Sequence, residues 1–167
     1  MKKIEFSIII TTFNQEKYIE KAIQSVLNQK TEFYYEILIG DDFSTDNTKE
    51  ICIKYAQAHP DKIILESRIK NLGLIENYID LLKKSKGKYI AFLEGDDYWI
   101  DNSKIQSQFD FLEKNNYGLV YTNSYILKDN LSKKKKKYEN NLFNHSGNLH
   151  QSLLRANHIV AITISFR

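Results

Sequence analysis

With 167 residues the chain is long enough for one domain around a single core, residues 1–167, and 42% hydrophobic against 27% charged residues is the balance of a globular protein in water. A net charge of +3 is too small to argue for nucleic acid, the single cysteine excludes an intrachain disulfide, and no stretch reaches the ~18 apolar residues of a membrane span. Met1-Lys2-Lys3 leads straight into a strand-like run, so no secretory signal is read and a reducing, cytoplasmic setting is expected.

The elements follow in order. Phe6–Thr12 is a β-branched run suited to a strand covered on both faces. Asn14 is placed as N-cap of a helix whose stripe is Tyr18, Ile19, Ala22, Ile23, Val26 and Leu27. A strand over Glu36–Gly40 leads through Asp41-Asp42-Phe43-Ser44-Thr45-Asp46 into a helix with Ile51, Cys52, Tyr55 and Ala56 inward, stopped by His59-Pro60. A short strand at Ile63–Leu65 precedes a helix with Leu74, Tyr78, Ile79 and Leu82 inward and Gly87 as its C-cap. Tyr89–Leu93 is the next strand, and a helix spans about Asn102–Lys114 with Ile105, Phe109 and Leu112 on one side. Leu119–Tyr125 reads as strand, Lys128–Asn141 as polar loop and Leu149–Leu154 as a short helix, and Val160, Ile162, Ile164 and Phe166 alternate as a half-exposed strand. Strand-helix alternation of this kind predicts an α/β domain around a mainly parallel sheet flanked by helices.

Ligands in such sheets bind beyond the carboxyl ends of the strands. The suggestive residues collect there: Thr11, Thr12, Phe13 and Asn14 after the first strand, Asp41 and Asp42 after the second, Asn71 and Gly73 after the third, Glu94-Gly95-Asp96-Asp97 after the fourth. Three carboxylates at one strand end repel and lose hydration, and a divalent cation, Mg²⁺ or Mn²⁺, bridging the two phosphates of a nucleotide diphosphate offsets that cost. Asp41 or Asp42 either brackets a turn or accepts the imino N–H of a pyrimidine base. Ser44, Thr45 and Asp46 are better placed to cap the next helix, which frees Asp42. Phe13 reads equally as core or as a platform for a base. Asn71 and Gly73 alone indicate only a turn, Tyr98 and Trp99 pack the flank of the acidic motif, and the four histidines show no metal spacing. No Walker loop and no G-x-G-x-x-G is present. The run Lys133–Lys137 is a solvated loop or, alternatively, a contact with anionic lipid at the inner face of the membrane, which liposome binding after neutralising the five lysines tests.

The segments SIIITTFNQEKYIEKAIQSVLNQ, EILIGDDFSTDNT, GKYIAFLEGDDYW and KIQSQFDFLE together resemble family 2 glycosyltransferases of GT-A fold, in particular a bacterial subgroup with an EGDDYW motif that builds surface glycoconjugates. The resemblance implies an inverting, metal-dependent transfer from a UDP- or dTDP-sugar to a glycan or lipid-linked acceptor. It sets Thr11 and Phe13 against the nucleotide, Asp42 on the base N–H, and Asn71, Gly73 and Asn77 in the subgroup's donor pattern. Asp96 and Asp97, with Glu94, stand where the family's D-x-D motif meets ribose and metal. Two departures stand out. Glu94 replaces the usual Asp, and Tyr78-Ile79 occupies the offset where many relatives carry Arg-Asn. The resemblance also sets the general base past Arg167; Asp101 and Asp110 read as a helix-start acid and a helix-surface acid. The C-terminal part is therefore expected to be missing, with 1–115 the nucleotide-sugar half and 116–167 the start of the acceptor side. Two rivals are a nucleotide-sugar-binding segment without turnover and a Mg²⁺-dependent receiver domain. The receiver would want its acid pair after the first strand, which ends here in Thr-Thr-Phe-Asn.

Overall fold

Four apolar runs become parallel strands. In the computed structural model, which describes residues 3–115, 117–128, 132–135 and 164–167, β1 (Ile4–Thr12), β2 (Tyr34–Asp41), β3 (Ile63–Ser67) and β4 (Tyr89–Glu94) pair in the order β3-β2-β1-β4. The connections are α1 (Ile19–Leu27), α2 (Thr48–Ala58) and α3 (Leu74–Lys84), and α4 (Lys104–Asn115) follows β4. The chain continues with β5 (Leu119–Val120), a β6 (Tyr125–Lys128)–β7 (Ser132–Lys135) hairpin and β8 (Ser165–Phe166). β8 lies antiparallel between β4 and β5, which makes the sheet mixed at that edge.

Period-two alternation divides each strand between two cores. Phe6, Ile8 and Ile10 of β1 pack with Ile37 and Ile39 of β2 and with Tyr89, Ala91 and Leu93 of β4 under α1, α2 and α4. Ile9, Leu38, Ile90 and Phe92 face the other way, onto Tyr78 and Leu81 of α3. Ile8, Ile9 and Ile10 are all fully buried, as a central strand demands, and each contributes about 1.5–3 kcal/mol through removal from water. At the amino ends of the strands the Ser7 hydroxyl donates to Glu36 (2.6 Å) and accepts from the Gly87 N–H (2.8 Å). No helix among the described residues is long and apolar enough to cross a membrane.

Several local expectations are corrected. Asn14 does not cap α1: the helix starts at Ile19 behind Tyr18, which lacks a side-chain cap and is exposed rather than part of the buried stripe. α3 is rotated from the expected face, so that Asn77 and Leu81 are buried while Leu74, Ile79 and Leu82 are exposed. Gly87 is not a cap either. α3 ends at Ser85, and a Cβ on Gly87 would lie 2.3 Å from the Ser7 nitrogen, so this glycine lets the chain pass against β1. The single strand Leu119–Tyr125 is two short strands in different sheets, and part of the polar loop, Lys133 to Lys135 included, is the β7 arm of a hairpin. The helix read at Leu149–Leu154, His145, His150, His158 and the residues Val160 and Ile162 lie outside the described residues.

Candidate functional site

Parallel pairing sets the strand ends side by side: Thr12 lies opposite Asp41 and Thr11 opposite Glu94. A cleft of ≈ 340 Å³ opens above them, lined by Thr11, Thr12, Phe13, Gln15, Asp42, Asn71, Gly73, Leu74, Asn77 and Glu94. A larger hollow of ≈ 710 Å³ lies at the C-terminal ends of α1 and α2 around Tyr55 and His59 and holds none of the candidate residues.

Asp42 is the hub of one wall. Its carboxylate accepts the Leu72 N–H (2.7 Å) on one oxygen and the Gly73 N–H (2.9 Å) on the other. Asn71 donates to the Asp42 carbonyl (3.1 Å), and the Asn71 side-chain oxygen shares the Gly73 N–H (3.1 Å). Gly73 sits at φ +84°, a conformation that glycine takes without steric cost, and α3 begins at the next residue. Beneath this wall Asn77 is buried; it donates to the Gly40 carbonyl (2.9 Å) and accepts from the Arg68 guanidinium (3.1 Å). Arg68 is in turn paired with Asp80 at 2.7 Å.

The loop after β1 forms the second wall. Phe13 is 46% exposed, an aromatic face open to a ligand. Asn14 adopts φ +52°; its N–H donates to the Ser44 hydroxyl (3.0 Å) and its side-chain oxygen accepts the Thr45 N–H (2.8 Å). Phe43, in the loop it contacts, sits at φ +69°. Asparagine takes a positive φ readily, whereas the bulky Phe43 does so only at a steric cost that the contacts between the two loops must hold.

The acidic turn closes the third side. The Gly95 N–H donates to the Thr11 carbonyl (2.9 Å) and the Asp97 N–H to the Glu94 carbonyl (3.0 Å). Gly95 is required there, because a Cβ would meet the Gln15 amide oxygen at 2.3 Å and the Thr12 hydroxyl at 2.7 Å. Glu94, Asp96 and Asp97 each bring a carboxylate oxygen within 4.8 Å of the others. Burial pushes the Glu94 carboxyl up, and the Asp96 and Asp97 charges push it further; Asp97 is raised by burial and then by Asp96. A hard-oxygen donor set whose ionisation is held back this way fits a divalent cation such as Mg²⁺ or Mn²⁺. Behind the turn Trp99 is buried, its backbone N–H donating to the Ser25 hydroxyl (3.1 Å), with the Lys104 ammonium 4.3 Å from its ring centre. Asp101 caps the start of α4 by accepting from the Ser103 N–H and hydroxyl.

Of the residues singled out in the sequence, Thr11, Thr12, Phe13, Asp42, Asn71, Gly73, Asn77 and Glu94 share the cleft, and Asp96 and Asp97 join it through Glu94. Asn14 and Asp41 do not line it. Asp41 is fully buried on the opposite face of β2; burial raises its carboxyl, against which the Ser44 hydroxyl and N–H and the Lys49 charge act, and burial followed by the Asp41 charge pushes the Cys52 thiol up to about 12. Gln15 and Leu74 line the cleft without having been picked out. Gln15 follows directly on Thr-Thr-Phe-Asn, a proximity that was there to be read. The part played by Arg68 rests on contacts nine and twelve residues away, which no local pattern encodes.

The Glycosyl transferase family 2 model matches residues 7–166. Two curated Escherichia coli proteins, the UDP-Glc:alpha-D-GlcNAc-diphosphoundecaprenol beta-1,3-glucosyltransferases WfaP and WfgD, are 39% and 36% identical to this chain, over 74% of it and 47% of each of them. An uncharacterized Mycobacterium bovis protein is 40% identical over 65% of this chain and 31% of its own length. The chain thus spans about half the length of these relatives, or less. Among solved structures, S. aureus TarS superposes with a TM-score of 0.61 at 28% identity, covering 70% of this chain and 21% of TarS. The mannosyltransferase PcManGT from Pyrobaculum calidifontis, solved with GDP-Man and Mn²⁺, shares the fold with a TM-score of 0.63 at 21% identity over 70% of this chain and 34% of its own. With a mainly parallel sheet, an acidic turn at the end of β4 and a family match over nearly its whole length, the chain belongs to glycosyl transferase family 2 and has the GT-A fold.

Proposed function

We propose that the cleft binds a UDP- or dTDP-sugar and that the protein transfers the sugar, with inversion, to the hydroxyl of a glycan or lipid-linked acceptor. One observation carries this reading: β1, β2 and β4 bring an open aromatic, a buried carboxylate and a cluster of three acids to one cleft. The two Escherichia coli relatives, whose names specify a UDP-glucose donor and a diphosphoundecaprenol-linked acceptor, support the donor and acceptor classes.

In this reading Phe13 stacks on the base and Asp42 accepts its imino N–H through lone pairs left over from Leu72 and Gly73, since an ionised carboxylate has about four acceptor sites. Asn71 and Gly73 fix the wall along the ribose and diphosphate, and Asn77 braces it from below. Asp96, the exposed acid of the cluster, faces ribose and cation, while Glu94 and Asp97 hold the cation. When bound, Mg²⁺ or Mn²⁺ neutralises charge that develops on the departing diphosphate. Asn14 and Asp41 support the loops without touching the donor. Positioning of donor and acceptor supplies the remaining acceleration.

Calorimetry of UDP with Mn²⁺ tests the reading. The wild-type chain should bind, and Asp96→Ala combined with Asp97→Ala should weaken binding at least about tenfold, the loss of one or two charge-assisted contacts. Wild-type affinity in the double variant refutes the metal role, and no binding by the wild type refutes the donor site.

A further inference from the structure

Tyr78, on the sheet-facing side of α3, has unusual surroundings. Its ring packs edge-on against Phe92 of β4 (5.0 Å between centroids, 68°), on the α3 side of the sheet. Alternation along β4 puts Glu94 on the side of Phe92, and alternation along β1 puts Thr11 on the side of Ile9. Both therefore face α3, and the two are direct partners across the β1–β4 ladder. The Tyr78 hydroxyl and the Thr11 hydroxyl are each shut off from solvent, and neither makes a hydrogen bond of full geometry. Thr11 is only 3% exposed. Burial raises the phenol pKa; the adjacent Thr11 hydroxyl lowers it, and the charges of Glu94, Asp96 and Asp97 raise it further, so the phenol lies within electrostatic reach of all three acids.

Two buried hydroxyls with no more than a poorly formed bond between them are costly, since an unsatisfied buried group loses roughly 1–3 kcal/mol. Packing does not require them, because phenylalanine and valine would fill the same space. Their direction toward the one strand end that carries an incompletely solvated carboxylate gives them a use. Resting on the donor-site reading above, we propose that Tyr78 is a positioning residue: its hydroxyl, with that of Thr11, hydrogen-bonds the Glu94 carboxylate when the donor diphosphate and its cation are bound. The phenol then orients the Glu94 carboxylate at the end of β4. It does so from beneath, as a neutral donor in a place where a cation would pair with the acids and compete with the metal.

The test uses the 167-residue chain and the conservative variants Tyr78→Phe and Thr11→Val, with two readouts: melting temperature without ligand, and UDP–Mn²⁺ affinity by calorimetry. Each variant is expected to melt at about the wild-type temperature, because no well-formed hydrogen bond is lost, and to bind UDP–Mn²⁺ about 3- to 10-fold more weakly, the loss of one hydrogen bond to a charged group. Unchanged affinity in Tyr78→Phe overturns the proposal, as does weaker binding accompanied by lower melting, which marks a structural role. If the wild type itself does not bind UDP–Mn²⁺, the donor-site reading falls and this inference with it; wild-type binding with an indifferent Tyr78→Phe sinks the inference alone.

Discussion

Asp42 holds one wall of the cleft and, in the reading proposed above, also meets the base of the donor. As a strand-end acid it was legible as a cleft residue, because only its neighbours in sequence are needed to see that the helix start has other caps. Its bonds to the Leu72 and Gly73 N–H groups were not legible, since the partners stand about thirty residues away and depend on β3 lying beside β2. Those two bonds make the clearest residue-level prediction. Asp42→Asn keeps the shape but turns one oxygen into an NH₂ that faces a backbone N–H, donor against donor. The variant should lose about 1–3 kcal/mol of stability in urea unfolding, the cost of one buried bond broken and its partner left unpaired. Unaltered stability would mean the carboxylate does not hold the 71–73 wall.

At the scale of the element, what could be read depended on whether burial followed hydrophobicity. The four parallel strands were visible as apolar runs, and α1 was visible as a stripe. α3 was not, because it buries an asparagine: Asn77 is satisfied by the Gly40 carbonyl and Arg68, and in turning inward it takes Leu74 and Ile79 outward. At the edge of the sheet, strands were legible around Leu119 and Phe166 but their extent and pairing were not, since β5 and β8 are two residues each, with β8 paired to β4 and β5 to β8. α4 contains the opposite surprise, a buried lysine at its first residue. Lys104 bonds the Gln108 side-chain oxygen (2.7 Å) and lies over Trp99, with its pKa pushed down by burial to about 7. The amino end of a helix is also the unfavourable end for a cation. Below pH 7 the ammonium is charged in both folded and unfolded chains and its full burial cost falls on the folded state. That cost is relieved as pH rises from about 7 toward the ordinary lysine value of 10.5. Lys104→Met should therefore melt higher than wild type at pH 6, with the advantage shrinking toward pH 9. Gln108 stays satisfied in the variant through the Ser165 hydroxyl (2.7 Å). A lower melting temperature at pH 6 would show that the contacts with Trp99 and Gln108 outweigh desolvation.

For the molecule as a whole, the acids divide into two groups with opposite effects on stability. The hydrogen bonds from Ser103 hold Asp101 low, and Lys88 followed by the Tyr89 hydroxyl holds Glu113 low. Such groups stabilise the fold above their unfolded pKa values and lose that contribution as pH falls through the depressed folded values. Glu94 and Asp97 are raised, by burial first and by neighbouring acids second. In the window between the unfolded and folded values the native chain binds more protons than the unfolded one, so stability declines as pH rises through it and stays reduced above. At neutral pH the acidic turn is thus a cost to the fold, one that a bound cation would offset. Asp97→Asn isolates the effect, since the groups held low are common to both proteins and cancel in the comparison. Without divalent ions the variant should melt higher than wild type at pH 7, because the variant has neither the buried charge nor its repulsion of Asp96 and Glu94. The gap should narrow as pH falls through the raised Asp97 value and vanish below the ordinary 3.8, where the wild-type carboxyl is protonated in both states. Added Mn²⁺ should reverse the order at pH 7 by stabilising the wild type in proportion to its binding and the variant far less. A variant that melts lower at pH 7 without metal, or a gap independent of pH, would mean the three acids are solvated surface charges rather than a strained site waiting for a counter-ion.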